Sequence, residues 1–303
     1  MKLATFKIKA SGQQTIGVFD GEHYLDVVAL ADSTTPDSMI GVLEGGTETL
    51  DKIRSAVANA SAGEHSYDPE DIELLAPVPR PGKIIHTSCN FDAHLDELTT
   101  WQAPEWQAHN WSDFHFEHPT GFLQAPSCVG ASGAAVTAPP FTKQLDYEIE
   151  VGIVLGKKAF GVGIDEALDY VAGLTIFNDL SARDIQAREH ANMVILLGKS
   201  FDGSCPLGPW LVTLDELEDP GNLEMKLYLN GELRQDSSTK NMHYNIAQLV
   251  SWWSNMTLEP GDVITSGSPP GVISGMKDPQ WLKPGDLLEA RVEGLGCLET
   301  PIS

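Results

Sequence analysis

In the stretch QLDYEIEVGIVLGKK, Gln144 to Lys158, acids stand at every second position: Asp146, Glu148 and Glu150. Successive side chains of a strand point to opposite faces, so an extended chain puts these three on one face and Tyr147, Ile149 and Val151 on the other. Two carboxylates one strand step apart, roughly 6 to 7 Å, repel by about 2 to 3 kcal/mol at an effective dielectric of about 20. A solvated face of an amphipathic strand would tolerate that. The continuation argues otherwise, because Val151-Gly-Ile-Val-Leu155 is apolar on both faces, as in a strand covered on both sides. Acids on such an element are costly unless a cation or hydrogen-bond donors accompany them. A hard divalent metal ion meets that need.

Further groups with chemical potential lie on either side. In AGLTIFNDLSARDIQ a strand is expected to end near Asn178-Asp179, and Ser181 with Asp184 has capping-box spacing for the next helix. Either Asp179 belongs to that cap, or Ser181 serves alone and Asp179 stands free at a strand end, where ligands usually emerge. In HTSCNFDAHLDE, His94 and Glu97 are three apart and share one helical face. Such a pair is either a surface contact or a histidine oriented by a carboxylate, the usual construction of a general base. Lys199 in GKSFDG and Ser266 and Ser268 in TSGSPPGV say less by themselves, since Gly-Ser-Pro-Pro-Gly is first of all a turn. A turn of that kind can also aim amides at an anion.

The elements that must carry these groups are mostly strands. Residues 1–76 read as a small strand-rich unit, with ATFKIKA and TIGVFDGEHYLDVV joined through turns and Asp20-Gly21 as a hairpin signal, followed by a helix near Leu50 to Ala60. Ala76-Pro-Val-Pro-Arg-Pro-Gly82 is a stiff extended connector, so the domain boundary is set there, with 77–303 as the second unit. Beyond it come IEVGIVLG, AGLTIFND, LEMKLYLN, DVITSGS and LLEARVEG as strands, and helices at Asp165–Tyr170, Ser181–Glu189 and Ile246–Ser254. The 303 residues suffice for such a pair of units. Forty-three acids against 19 bases, a formal charge of −24, argue against nucleic acid or an anionic membrane surface as partner. An anionic substrate must be captured against this field by a metal and a few placed bases. The amino end lacks the apolar run of a signal peptide and no 18-residue apolar run follows, so a cytoplasmic protein is expected. The four scattered cysteines suggest neither a disulfide framework nor a zinc site.

The motifs PVPRPGKII, NFDAHLDE, DYEIEVGIVLGK, YVAGLTIFNDLSARDIQ, GKSFDGSCPLGPWLV, NGELRQDSST and LEPGDVITSGSPPGV occur in that order. Together they resemble the fumarylacetoacetate hydrolase family over most of residues 77–296. The resemblance implies an α+β, mostly β fold: a mixed β-roll of that family's C-terminal type, preceded by a small strand-rich N-terminal domain. It also implies a homodimer with a Mg²⁺ or Mn²⁺ site and a small anionic oxo acid as substrate. Carried over position by position, the metal ligands fall on Glu148, Glu150 and Asp179, with Asp146 supporting them from behind. The catalytic dyad falls on His94 and Glu97, with Lys199 beside it, and the substrate contacts on Arg183, Gln186 and Ser268.

Two departures bear on the substrate. Gln124, also expected to contact substrate, stands where many members carry Lys, and the segment Leu98 to Gly121 is long and rich in Trp101, Trp106, Trp111, Phe114 and Phe116. That segment is expected to close over the site as a lid and to favour a bulky acyl group. The expected reaction is metal-dependent hydrolysis of a C–C bond in a 2,4-dioxo acid such as an acylpyruvate. Oxaloacetate decarboxylation, isomerisation of an oxo acid and dehydration of a sugar acid draw on the same chemistry. A non-catalytic metal-binding protein, and a zinc site built from His109, His115 and His118, are the rivals from outside it.

Overall fold

The structure is a computed structural model that describes all residues except 62, 102–103 and 105–116. It is α+β and mostly sheet, as expected. The main sheet runs, in spatial order, through Ser66–Tyr67, Tyr24–Asp26, Gln14–Phe19, Lys2–Ile8, Cys205–Thr213, Val171–Asn178, Ile149–Leu155, Val263–Thr265, Ile84–Ser88 and Thr120–Gln124. A second sheet of four strands has the order Glu232–Ser238, Glu224–Leu229, Leu287–Val292, Gly296–Pro301. Its first hairpin turns at Asn230 and Gly231, both with positive φ (53° and 81°), the backbone that a tight two-residue hairpin demands.

The apolar run that suggested a strand covered on both faces is such a strand. All seven residues of Ile149–Leu155 are buried. Val151, Ile153 and Leu155 join a core shared with Met225, Leu227 and Leu288 of the second sheet. Val154 faces the other way, into a core with Leu3, Ile16 and Ile53. Glu150 has the parity of Val154 and so shares its face. The edge strand Thr120–Gln124 alternates in exposure, as a strand with a wet side should.

Most of the expected elements are present within a few residues, including a helix at Gly46–Asn59 and one at Ile246–Trp253 capped reciprocally by Asn245 and Gln248. The start expected at Ser181 needs correction. Ser181–Ala182 forms a short ladder with Leu145–Asp146, so Ser181 is held in extended backbone and the helix is Arg183–His190, with Ala182 at its N-cap. Asp184 instead accepts hydrogen bonds from Thr142 Oγ1 and Lys143 N–H. The helical residues Asp165–Tyr170 are a 3₁₀ stretch over Ile164–Tyr170. The first strand of the chain pairs with Cys205–Thr213, Lys2 opposite Val212, so the amino-terminal residues extend the main sheet.

Candidate metal and catalytic site

Strands of the main sheet, with the helices and turns beside them, converge on a half-open cavity of about 90 Å³, lined by His86, His94, Glu148, Glu150, Asp179, Arg183, Gln186, Lys199 and Ser268 among others. Glu150 sits early in its strand, opposite Phe177, and Asp179 follows directly on the strand that ends at Asn178. Pairing thus brings the two acids together from adjacent strands, and Asp179 is free of any helix cap. His86 comes from Ile84–Ser88, on the far side of the short Val263–Thr265 strand.

Charge balance dominates this cavity. Asp146, Glu148, Glu150 and Asp179 are all at most 5% exposed, and Arg183 and Lys199 are 2% and 3% exposed. Asp146 supports from behind: it accepts from Arg183 Nε at 2.8 Å, Ile273 N–H at 2.8 Å and Ser274 N–H at 3.1 Å. Glu148 is clasped by Arg183 Nη2 at 2.7 Å and Lys199 Nζ at 2.6 Å, and Lys199 Nζ also donates to Asp179 Oδ2 at 2.6 Å. Burial alone would raise the Glu148 carboxyl, but the Arg183 and Lys199 charges hold it well below the usual carboxylate range. Glu150 has no such escort. Among the described residues no Lys or Arg pairs with it, and one of its oxygens accepts from Gly267 N–H at 3.1 Å. Burial and the Asp179 carboxylate push it up to about 8.

Whether a divalent cation fits is decided by these atoms. With all four ionised, the buried carboxylates would face two permanent cations, a deficit of two charges. Among the described residues, Asp179 Oδ1 is buried without a hydrogen-bond partner. His86, Glu150 and Asp179 place one ligand atom each within 4.8 Å of one another. A hard cation would satisfy the orphaned oxygen and the unescorted Glu150 together. Of the acids expected as ligands, Glu150 and Asp179 are in this cluster, while Glu148 lies in the ion-pair cage beside it. His86 is the residue the sequence reading missed. Its signal was a histidine directly after Ile84-Ile85 in the strand Ile84–Ser88, legible only once Gln124 and Asp179 are seen around it.

The dyad is formed. His94 and Glu97 lie on the helix Asp92–Leu98, with Nδ1 2.8 Å from Glu97 Oε2. Glu97 is itself held by Gly271 N–H at 3.0 Å. His94 Nε2 turns inward, 3.9 Å from Glu148 Oε1. Arg183 Nη1 donates to Gln186 Oε1 at 3.0 Å, which leaves the Gln186 amide NH₂ for a ligand. Ser268 Oγ accepts from Gln235 Nε2 at 3.1 Å. Gln124 Oε1 is 2.6 Å from His86 Nε2, and its Nε2 donates to Lys199 O. Trp101, 2% exposed, covers the site: the Arg183 guanidinium lies 4.9 Å from its ring centre and the His94 ring meets it edge-on at 6.1 Å. Trp106, Trp111, Phe114, Phe116, His109 and His115 lie outside the described residues. His118 stacks on Trp252 at 4.4 Å.

Comparison with known proteins supplies the class. The family model for the fumarylacetoacetate hydrolase C-terminal region matches residues 83–303. A curated relative, "Oxaloacetate tautomerase fahd2, mitochondrial" of Xenopus laevis, is 34% identical over 100% of this chain and 90% of its own length. Among solved structures, a fumarylacetoacetate hydrolase from Exiguobacterium antarcticum superposes with a TM-score of 0.80 at 33% identity, covering 100% of this chain and 99% of that one. A maleylpyruvate hydrolase from Sphingobium sp. SYK-6, in complex with manganese(II) and pyruvate, gives 0.75 at 27% identity, covering 100% and 98%. The chain belongs to the fumarylacetoacetate hydrolase family of enzymes. The expectation of a cytoplasmic protein is overturned, because the Xenopus relative is named as mitochondrial. Lack of an apolar signal-peptide core speaks only to secretion and leaves organelle import open.

The Glu150 carboxyl gives a pH prediction for the metal-free protein. With its folded value near 8 against a usual 4.5, the folded chain holds more protons than the unfolded chain between those values. Stability from this group is therefore full below about 4.5 and falls as pH rises through 8. Glu150→Gln, neutral throughout, is expected to raise the thermal midpoint of the metal-free protein at pH 8 and to abolish the further rise that Mn²⁺ gives the wild type. A lower midpoint at pH 8 would refute the unescorted-acid account.

Proposed function

We propose that the chain is a divalent-metal-dependent enzyme that interconverts the enol and keto forms of a small 2-oxo dicarboxylic acid of the oxaloacetate type. The observation that carries this reading is the buried His94–Glu97 dyad, 2.8 Å apart, with His94 Nε2 turned into the cavity that holds Glu150 and Asp179. The name of the Xenopus relative supports the substrate class. The cavity of about 90 Å³ supports a small acid over a bulky acyl group, since pockets for drug-sized ligands run to about 300–1,000 Å³.

Going from enol to ketone, the hydroxyl proton leaves as the C=O bond forms, and the C=C electron pair takes a proton at C3. No water is consumed and no C–C bond breaks. Glu97 holds the Nδ1–H of His94, so Nε2 is left to carry the proton on or off C3. A divalent ion held by Glu150 and Asp179, with Glu148 beside them, would supply a Lewis acid for the 2-oxygen and its neighbouring carboxylate. The Gln186 amide offers hydrogen bonds to the substrate's oxygens, and the Ser268 hydroxyl does so on turning away from Pro269 O, to which it donates at 3.2 Å. Lys199 pairs with Glu148 and Asp179, and Arg183 with Asp146 and Glu148. Hydrolysis of a 2,4-dioxo acid is the second reading. It is favoured by the same dyad, which could draw a proton from water, and by the maleylpyruvate hydrolase likeness. We also propose 1–76 and 77–303 as two units of the sequence, joined in the fold by the pairing of Lys2–Ile8 with Cys205–Thr213.

Enol oxaloacetate mixed with Mn²⁺-loaded protein is expected to lose its enol absorbance faster than in buffer, without release of pyruvate. His94→Ala is expected to slow this by at least about 100-fold. No acceleration of ketonisation, together with consumption of acylpyruvates, would replace this reading with the hydrolase one.

A homodimer is proposed on the exposed apolar run Met193, Val194, Leu196 and Leu197, 44–77% exposed, a patch that monomers rarely leave open. Sedimentation at micromolar concentration is expected to give twice the chain mass, and a monomer there would contradict it.

A further inference from the structure

Resting on that metal site but going beyond it, we propose that His86 binds the ion through Nδ1 and biases the site toward manganese and the later transition ions over magnesium.

The ring has little freedom. His86 is 1% exposed, stacks on Phe122 at 4.5 Å with planes 4° apart, and meets Phe177 edge-on at 5.3 Å. The strand pairing that sets His86 opposite Phe122 also sets Ile84 opposite Gln124, which brings the Gln124 amide to the ring edge. The orientation of that amide follows from its other neighbours. The backbone oxygen of Lys199 only accepts, so the Gln124 NH₂ must face it, and the same nitrogen reaches Ser204 Oγ at 3.1 Å. The Gln124 carbonyl oxygen is then what meets His86 Nε2 at 2.6 Å, and the ring must donate from Nε2.

With an ion bound, the ring is a neutral imidazole whose hydrogen sits on Nε2 and whose lone pair is on Nδ1, the hydrogen that Nδ1 shares with Asp179 in the ion-free site being displaced. Nδ1 is the atom that faces the acids, 3.2 Å from Asp179 Oδ2. A ring nitrogen fixed by a hydrogen bond at the opposite nitrogen is how proteins orient metal-binding histidines. Atoms bound to one ion at about 2.0 to 2.6 Å are at most roughly 4 to 5 Å apart, which the 4.8 Å spread of His86, Glu150 and Asp179 meets. The donor set therefore gains an imidazole beside the carboxylates of Glu150 and Asp179. Magnesium is held by oxygen and sheds water reluctantly, whereas imidazole suits transition ions and their affinity rises from manganese through cobalt. Gln124 has a positioning role in this scheme: it holds the tautomer and touches no substrate.

Two measurements test this on the metal-stripped full chain. Electron spin echo envelope modulation of the Mn²⁺-loaded wild type is expected to show coupling to a directly bound ¹⁴N, retained in His94→Ala and absent from His86→Ala. Calorimetric titration is expected to show His86→Ala weakening Mn²⁺ by at least roughly 10-fold, with Mg²⁺ changed by less, so that discrimination between them shrinks. The wild-type spectrum decides even if His86→Ala fails to fold. One Mn²⁺ bound without nitrogen coupling, or equal weakening of both ions, overturns the proposal while leaving the metal site standing. No Mn²⁺ binding in the wild type, or binding indifferent to Glu150→Gln, overturns the metal site and this proposal with it.

Discussion

The burial of four carboxylates beside two permanent cations is the constraint on which the rest of this structure depends. An unpaired buried charge costs several kcal/mol even after relaxation, so each acid must find a partner or give up its charge. Three do find one: Asp146 and Glu148 share Arg183, and Glu148 and Asp179 share Lys199. Glu150 does not, and in the absence of a cation it answers by holding its proton to about pH 8. A divalent ion would remove that conflict. The energy stored in the unescorted acid and in the Asp179 oxygen left unpaired among the described residues would become affinity for the ion.

The fold exists in large part to impose this conflict. Antiparallel pairing places Glu150 and Asp179 on adjacent strands, and the apolar cores on both faces keep water out. The Ser181–Ala182 ladder with Leu145–Asp146 then delays the next helix until Arg183, which aims its guanidinium back at Asp146 and Glu148. Trp101 closes over that guanidinium and over His94. The His94–Glu97 pair is tied in turn to the Gly271 backbone, so the oriented histidine and the acids are held by one turn and one sheet.

Much of this was legible in the chain. The alternation of Asp146, Glu148 and Glu150 before a doubly apolar strand announces buried acids, and His94 with Glu97 announces an oriented histidine. The limits are equally physical. Capping-box spacing at Ser181 and Asp184 is a local signal, and it lost to strand pairing with a segment some 35 residues earlier, as local preferences lose to long-range ladders. The three evenly spaced acids look equivalent in sequence, yet only the cations from Arg183 and Lys199 distinguish Glu148 from Glu150. His86 carried almost no signal, because its neighbours Gln124 and Asp179 come from elsewhere in the chain and assemble only in the sheet.

The most direct measurement of the central claim is anomalous scattering at the manganese edge from crystals grown with Mn²⁺. The charge deficit predicts one strong peak per chain in contact with Glu150 and Asp179, with Lys199 still beside Glu148. A peak confined to the surface group Glu289, Cys297 and Glu299, or no peak at all, would contradict it.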